Sequence, residues 1–294
     1  MRKFLKNILH FSIGLVLLNS LFYFFIFKPA IFDKYIFNIN SISEYNIFLV
    51  SDSHGAYIAE SPSKNQIFNF SNTSENYLDM FLKVQYLTSI LSENDTILLS
   101  IDNHNLSSYR NGFGRVKENI IYANDFSMIE ESAIQPSFYF KKITQYLPLI
   151  ELNYNKSILK FIKHQVFESK NITTFSKLSN SEKEIACNKR YKQQFENHTP
   201  SVQQKDYLNK IIQLCKEKNI TLIGVRFPIS VDYWKLIENE DFKIKEIWLS
   251  HDLKIVDLHH LFFDNNEFFY DVDHLNIKGG ELFSKAIIDN LKNL

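Results

Sequence analysis

Three short polar clusters in this chain carry the residue types that catalysis uses. The first, Ser51-Asp52-Ser53-His54-Gly55, follows the apolar run Ile47–Val50. The second is IDNHN, residues 101–105, and the third is YDVDHLN, residues 270–276. Within the third, Asp271 stands three residues ahead of His274. On a turn entering a helix, that spacing lets a carboxylate orient the imidazole through one ring nitrogen. The other nitrogen is then free to take a proton from a serine hydroxyl. Serine is a weak nucleophile without such a base. Ser53 is the natural partner, which makes Ser53, His274 and Asp271 candidates for nucleophile, general base and orienting acid. A tetrahedral intermediate also needs donors for its oxyanion. The backbone N–H groups of Ser53 and Ser71 and the side chain of Asn103 or Asn105 are the candidates. Asp52, His54 and His104 are expected to support the site. Asp273 and Asn276 are expected to shape the turn, with Asn276 as the N-cap of the last helix.

These residues must be brought together by the elements around them. NIFLVSDS (46–53), QIFNFSN (66–72) and DTILLSID (95–102) read as strands that end in polar residues. Between the last two, Leu78, Phe81, Val84, Leu87 and Leu91 recur at helical spacing, predicting a helix from Glu75 to Ser92. Strand, helix, strand order implies parallel pairing, because parallel strands need a crossover. The rhythm returns with a helix over 202–219, strands over 220–228 and 254–260, and a helix from Asn276 to Leu291. The expected fold class is α/β, a three-layer α/β/α sandwich with a mainly parallel sheet. The crevice of such a sheet lies at the carboxyl ends of its strands, where all three clusters fall. Residues from about 106 to 200 break the rhythm and read as a mainly helical insertion.

Composition sets the location and excludes some partners. The chain has 294 residues, and its 33 basic and 33 acidic residues cancel. No strong field draws it to nucleic acid. Its two cysteines, Cys187 and Cys215, cannot build a disulfide framework and are expected free and buried. Arg2, Lys3 and Lys6 precede Ile8–Phe27, which holds no Asp, Glu, Lys or Arg. About 20 apolar residues suffice to cross a bilayer as a helix, and the basic flank keeps the N-terminus cytoplasmic. With no small-x-small cleavage site after it, the segment reads as an uncleaved anchor. Residues 1–29 form the flank and anchor, and 30–294 the extracytoplasmic domain, in a periplasm or at a cell surface.

With these residues in view, the chain resembles the SGNH (GDSL-like) hydrolases and acyltransferases. Their pattern has a G-D-S block after the first strand, a glycine after the second, an asparagine after the third and D-x-x-H before the last helix. Here SDSHG matches the first block, with Ser51 in place of the glycine. NFSN matches the second, with Ser71 at the glycine position, and IDNHN the third, through Asn103 or Asn105. DVDHLNIKGGELFS matches the fourth, with Asp271 and His274. The resemblance covers roughly residues 45–105 and 205–294. It implies a serine esterase or O-acyltransferase without metal or organic cofactor. With the anchor, it is similar in architecture to bacterial proteins that move acyl groups on envelope polymers. An acylated glycan or acyl donor is then the expected substrate, and a membrane acyltransferase a conceivable partner.

Two other functions fit parts of the pattern. Asp52, His54 and His104 match a metallophosphoesterase loosely, although the intervening G-D block is missing. A glycan-binding or assembly subunit is the non-catalytic alternative. It has no need of Ser53, Asp271 and His274 together.

Overall fold

The computed structural model describes residues 1–25, 42, 45–58, 67–112, 119, 122–123, 129 and 175–294. The chain divides into two compact units. One comprises Met1–Ser43 with Asp125–Lys170, the other Glu44–Asn124 with Asn171–Leu294.

In the first unit the described structure is chiefly one helix, α1 (Arg2–Phe22). With its continuation to Phe25 it is 24 residues long, and it is long and apolar enough to cross a membrane. Its polar Asn19 donates from Nδ2 to the Leu15 carbonyl at 2.9 Å, so that amide is satisfied within the helix.

The second unit is α/β and is built on a five-stranded, wholly parallel sheet. Its strands are β1 (Ile47–Val50), β2 (Ile67–Asn69), β3 (Thr96–Ser100), β4 (Thr221–Arg226) and β5 (Ile255–Asp257), in the order β2-β1-β3-β4-β5. Buried parallel strands read as continuous apolar runs, because both faces are covered. Phe48, Leu49 and Val50 of β1 and Ile97, Leu98 and Leu99 of β3 are accordingly buried. The expected strands are present but shorter, because each polar tail turns off the sheet to build the site. The strand order reverses direction between β1 and β3, and ligand crevices form at such a switch point. Ser51–Gly55 and Ile101–Asn105 leave the sheet there.

Helix α2 runs from Tyr77 to Leu87 rather than from Glu75 to Ser92. Its start is fixed by a capping box: Asn76 Oδ1 accepts from the Asp79 N–H (3.1 Å), and Asp79 accepts from the Asn76 N–H (3.2 Å). Of the expected insertion, 113–174 lie almost wholly outside the described residues. Its described end holds α3 (Asn180–Gln194). Then follow α4 (Val202–Glu217), α5 (Val231–Ile237), α6 (Ile244–Leu249) and α7 (Ile277–Leu291). Cys187 and Cys215 are free and buried, as expected.

The loop before α7 is held tightly. Phe269 and Leu275 form an antiparallel bridge around the Tyr270–His274 turn, and both are buried. Asn276 caps α7 as expected, accepting from the Gly279 N–H at 3.0 Å. Gly280 lets the first turn of α7 approach the loop after β1, since a Cβ there would lie 1.8 Å from the Tyr57 carbonyl oxygen. The elements carrying Ser53 and His274 are thus set against each other by backbone contact. Gly280→Ala should therefore lower the unfolding free energy of the full-length chain by about 1–3 kcal/mol or more. Denaturant unfolding measures this, and a variant as stable as the parent would contradict the close approach.

Candidate active site

The three residues expected to form a triad meet. Ser53 opens a single 3₁₀ turn, Ser53–Gly55, capped by Asp52, whose Oδ1 accepts from the His54 N–H at 3.0 Å. Ser53 itself is half-buried and open to solvent on one side. His274 Nε2 lies 2.8 Å from Ser53 Oγ. On the other side of the ring, His274 Nδ1 lies 2.8 and 2.9 Å from the two Asp271 oxygens. Because a carboxylate only accepts, Nδ1 carries a proton and Nε2 faces the serine. Asp271 also accepts from the backbone N–H groups of Asp273 (3.1 Å) and His274 (2.9 Å), which fixes the turn.

A buried ionic layer lies beside the triad. Asp52 Oδ2 accepts from His104 Nε2 at 2.9 Å and from the Arg110 guanidinium. Burial alone would raise the Asp52 carboxyl, but Arg110 and His54 outweigh it and hold it well below the usual carboxylate range. His104 is pushed down to about 4 by burial and by the neighbouring His54 charge, so it is neutral. His54 stands between Asp102, 3.4 Å from Nδ1, and Asp273, 3.3 Å from Nε2. Burial disfavours its charge, yet Asp52, Asp102 and Asp273 raise it to about 10. His274 is likewise disfavoured by burial, and Asp273 and Asp271 raise it to about 9. Asp52, His54 and His104 thus form one connected network beside Ser53 and His274.

The expected oxyanion donors are only partly assembled. The Ser53 N–H begins its turn without a described partner. The Ser71 N–H instead donates to Asn69 Oδ1 at 3.1 Å. Asn103 turns its Nδ2 to the Glu240 carbonyl at 2.9 Å. Asn105 is buried, with Oδ1 accepting from Ser100 Oγ and the Asp102 N–H, and Nδ2 3.5 Å from Asp52. Two of the four expected donors, the Ser71 amide and Asn103, are thus committed elsewhere. Asn69, unnoticed in the sequence, pins the Ser53 loop by donating to the Gly55 and Ile58 carbonyls at 2.7 and 3.2 Å. Ser51 and Ser71 pack around Gly55, where a Cβ would lie 2.2 Å from Ser71 Oγ and 3.1 Å from Ser51 Cβ.

The atoms needed by the metal alternative also converge, with Asp52, His54 and His104 ligand atoms within 4.8 Å of one another. Their chemistry is that of a charge network. The Asp52 oxygen facing His104 already receives a guanidinium, and both His54 nitrogens face carboxylates. A divalent cation would have to displace those protons and sit against Arg110.

Sequence reasoning missed Asp102, Arg110, Arg190 and the place of Asp273. Arg226 donates to Asp257 at 3.2 Å and lies 2.6 Å from His259 Nδ1. No family model matches the chain, and no curated protein matches it.

The raised imidazoles link stability to pH. An unfolded histidine titrates near about 6.5. The charged His54 and His274 therefore favour the folded state fully below that pH, and this contribution is lost as pH rises through about 9 to 10. The Tm of the full-length chain should fall across that window, and less steeply in His54→Gln. Equal slopes for parent and variant would contradict the assignment of charge to His54.

Proposed function

We propose that this chain is a membrane-anchored serine esterase or O-acyltransferase of the SGNH-like type. The observation that carries the proposal is the unbroken chain Ser53 Oγ, His274 Nε2, His274 Nδ1, Asp271, with contacts of 2.8 Å at each end. The parallel order β2-β1-β3-β4-β5 supports a three-layer sandwich of the flavodoxin-like kind. The apolar α1 with its basic flank supports an N-terminus in the cytoplasm and a catalytic domain outside it. A substrate at the envelope follows from that placement, and an acylated polysaccharide is the class we assign. A membrane partner that delivers the acyl donor is compatible with the transferase form.

In this mechanism Ser53 Oγ attacks the ester carbonyl while its proton passes to His274 Nε2. Negative charge develops on the carbonyl oxygen, where the Ser53 N–H donates. Collapse breaks the ester C–O bond, and His274 returns the proton to the leaving alkoxide. Water or a glycan hydroxyl then takes the acyl group from Ser53 by the same steps in reverse. Asp271 holds the tautomer throughout. The base must be neutral to act, so the raised His274 makes the rate climb with pH towards about 9.

Hydrolysis of p-nitrophenyl acetate by the full-length chain tests the proposal. Ser53→Ala and His274→Ala should each reduce turnover on the order of 10³-fold or more, and a chelator should change nothing. Chelator-sensitive cleavage of a phosphodiester that survives Ser53→Ala would favour the metal alternative. The absence of both activities would favour the binding subunit.

A further inference from the structure

His274 Nδ1 faces two carboxylates, and they differ in every physical respect. Asp271 is hydrogen-bonded to the ring, but its side chain is 43% exposed. Asp273 Oδ1 lies 3.1 Å from the same nitrogen, and its side chain is 1% exposed. That oxygen makes no well-aligned hydrogen bond, so its contact with the ring is chiefly one of charge. Water screens an exposed carboxylate, whereas a buried one acts through a low dielectric. By this argument the less screened, and so stronger, negative charge on the imidazole is Asp273, the residue beside it in sequence, although the carboxylate of the D-x-x-H pair lies slightly closer.

The surroundings of Asp273 are built around its other oxygen. Asp273 Oδ2 accepts from Arg190 Nε at 2.7 Å and from Gln194 Nε2 at 3.0 Å, both on α3. His54 Nε2 approaches it at 3.3 Å from the nucleophile loop. Gln194 is in turn fixed by Tyr233 of α5, whose hydroxyl donates to Gln194 Oε1 at 2.6 Å. Around this group, Tyr109, Cys187 and Tyr233 interact electrostatically with Asp273, while His54 faces the His274 ring with centroids 5.1 Å apart. A residue that merely shaped a turn would not require an arginine, a glutamine and a histidine from two other segments.

We propose that Asp273 is the buried counter-charge of His274, a positioning residue held in place by Arg190, Gln194 and His54. Asp271 then sets the tautomer, and Asp273 stabilises the imidazolium formed when Ser53 gives up its proton. The inference rests on the proposed serine mechanism for its catalytic meaning, but its electrostatic content can be measured without catalysis.

The experiment is an NMR titration of the His274 imidazole in the full-length chain, run beside the pH dependence of labelling by a fluorophosphonate. Asp273→Asn should move the His274 titration to lower pH by about one unit or more, and Asp271→Asn by less. Arg190→Gln keeps the Asp273 carboxylate, which Gln194 and His54 still contact, and removes the opposing positive charge, so it should move the titration to higher pH. It keeps the test alive if Asp273→Asn does not fold. Opposite shifts in Asp273→Asn and Arg190→Gln, followed by the labelling profile, are the expected result. An unmoved titration in either variant would overturn the proposal, as would a larger shift in Asp271→Asn. If no pH supports labelling of the parent, the serine mechanism fails, while the titration still decides the role of Asp273.

Discussion

Three carboxylates, Asp52, Asp102 and Asp273, are buried around one imidazole, that of His54. Taking an unpaired charge out of water costs several kcal/mol per ion, so this cluster exists only because cations meet it. Arg110 arrives from the 3₁₀ turn Ser108–Gly112 and Arg190 from α3. His54 lies between them as an imidazolium. Each partner comes from a different part of the chain, so charge compensation is also what ties the nucleophile loop, the ends of β1 and β3, the helix α3 and the His274 turn to one geometry.

That constraint explains why the triad sits in a rigid setting. Ser53 heads a one-turn element whose cap, Asp52, is itself locked by Arg110 and His104. His274 projects from a turn closed by the Phe269–Leu275 bridge, and Gly280 seats that turn directly on the backbone of the nucleophile loop. Preorganised groups of this kind need no rearrangement when charge develops, which is the main way a site lowers a barrier. The network also raises both imidazoles, so under the proposed mechanism His274 becomes a neutral base at alkaline rather than neutral pH.

Much of the sheet was legible because buried parallel strands announce themselves as short apolar runs with polar ends. The meeting of Ser53, Asp271 and His274 was legible for the same reason, since strand ends and a helix entry define where a crevice must be. What was not legible has a common cause. Asp273 looked like a turn residue because its neighbour in sequence is the histidine, whereas its partners Arg190 and Gln194 lie 83 and 79 residues away. The partner of Arg110, Asp52, is 58 residues distant. Long-range charge pairing leaves no periodicity behind. Two of the expected oxyanion donors are occupied for different reasons: the Ser71 N–H donates to Asn69 two residues away, whereas Asn103 Nδ2 donates to the Glu240 carbonyl, 137 residues distant.

The central claim is that Ser53 is an activated nucleophile. Treatment of the full-length chain with a fluorophosphonate, followed by intact mass and peptide mapping, tests it most directly. The account requires a single phosphonyl adduct on Ser53 that is lost in His274→Ala and indifferent to chelator. A folded parent that takes up no label, or takes it at another residue, would contradict it.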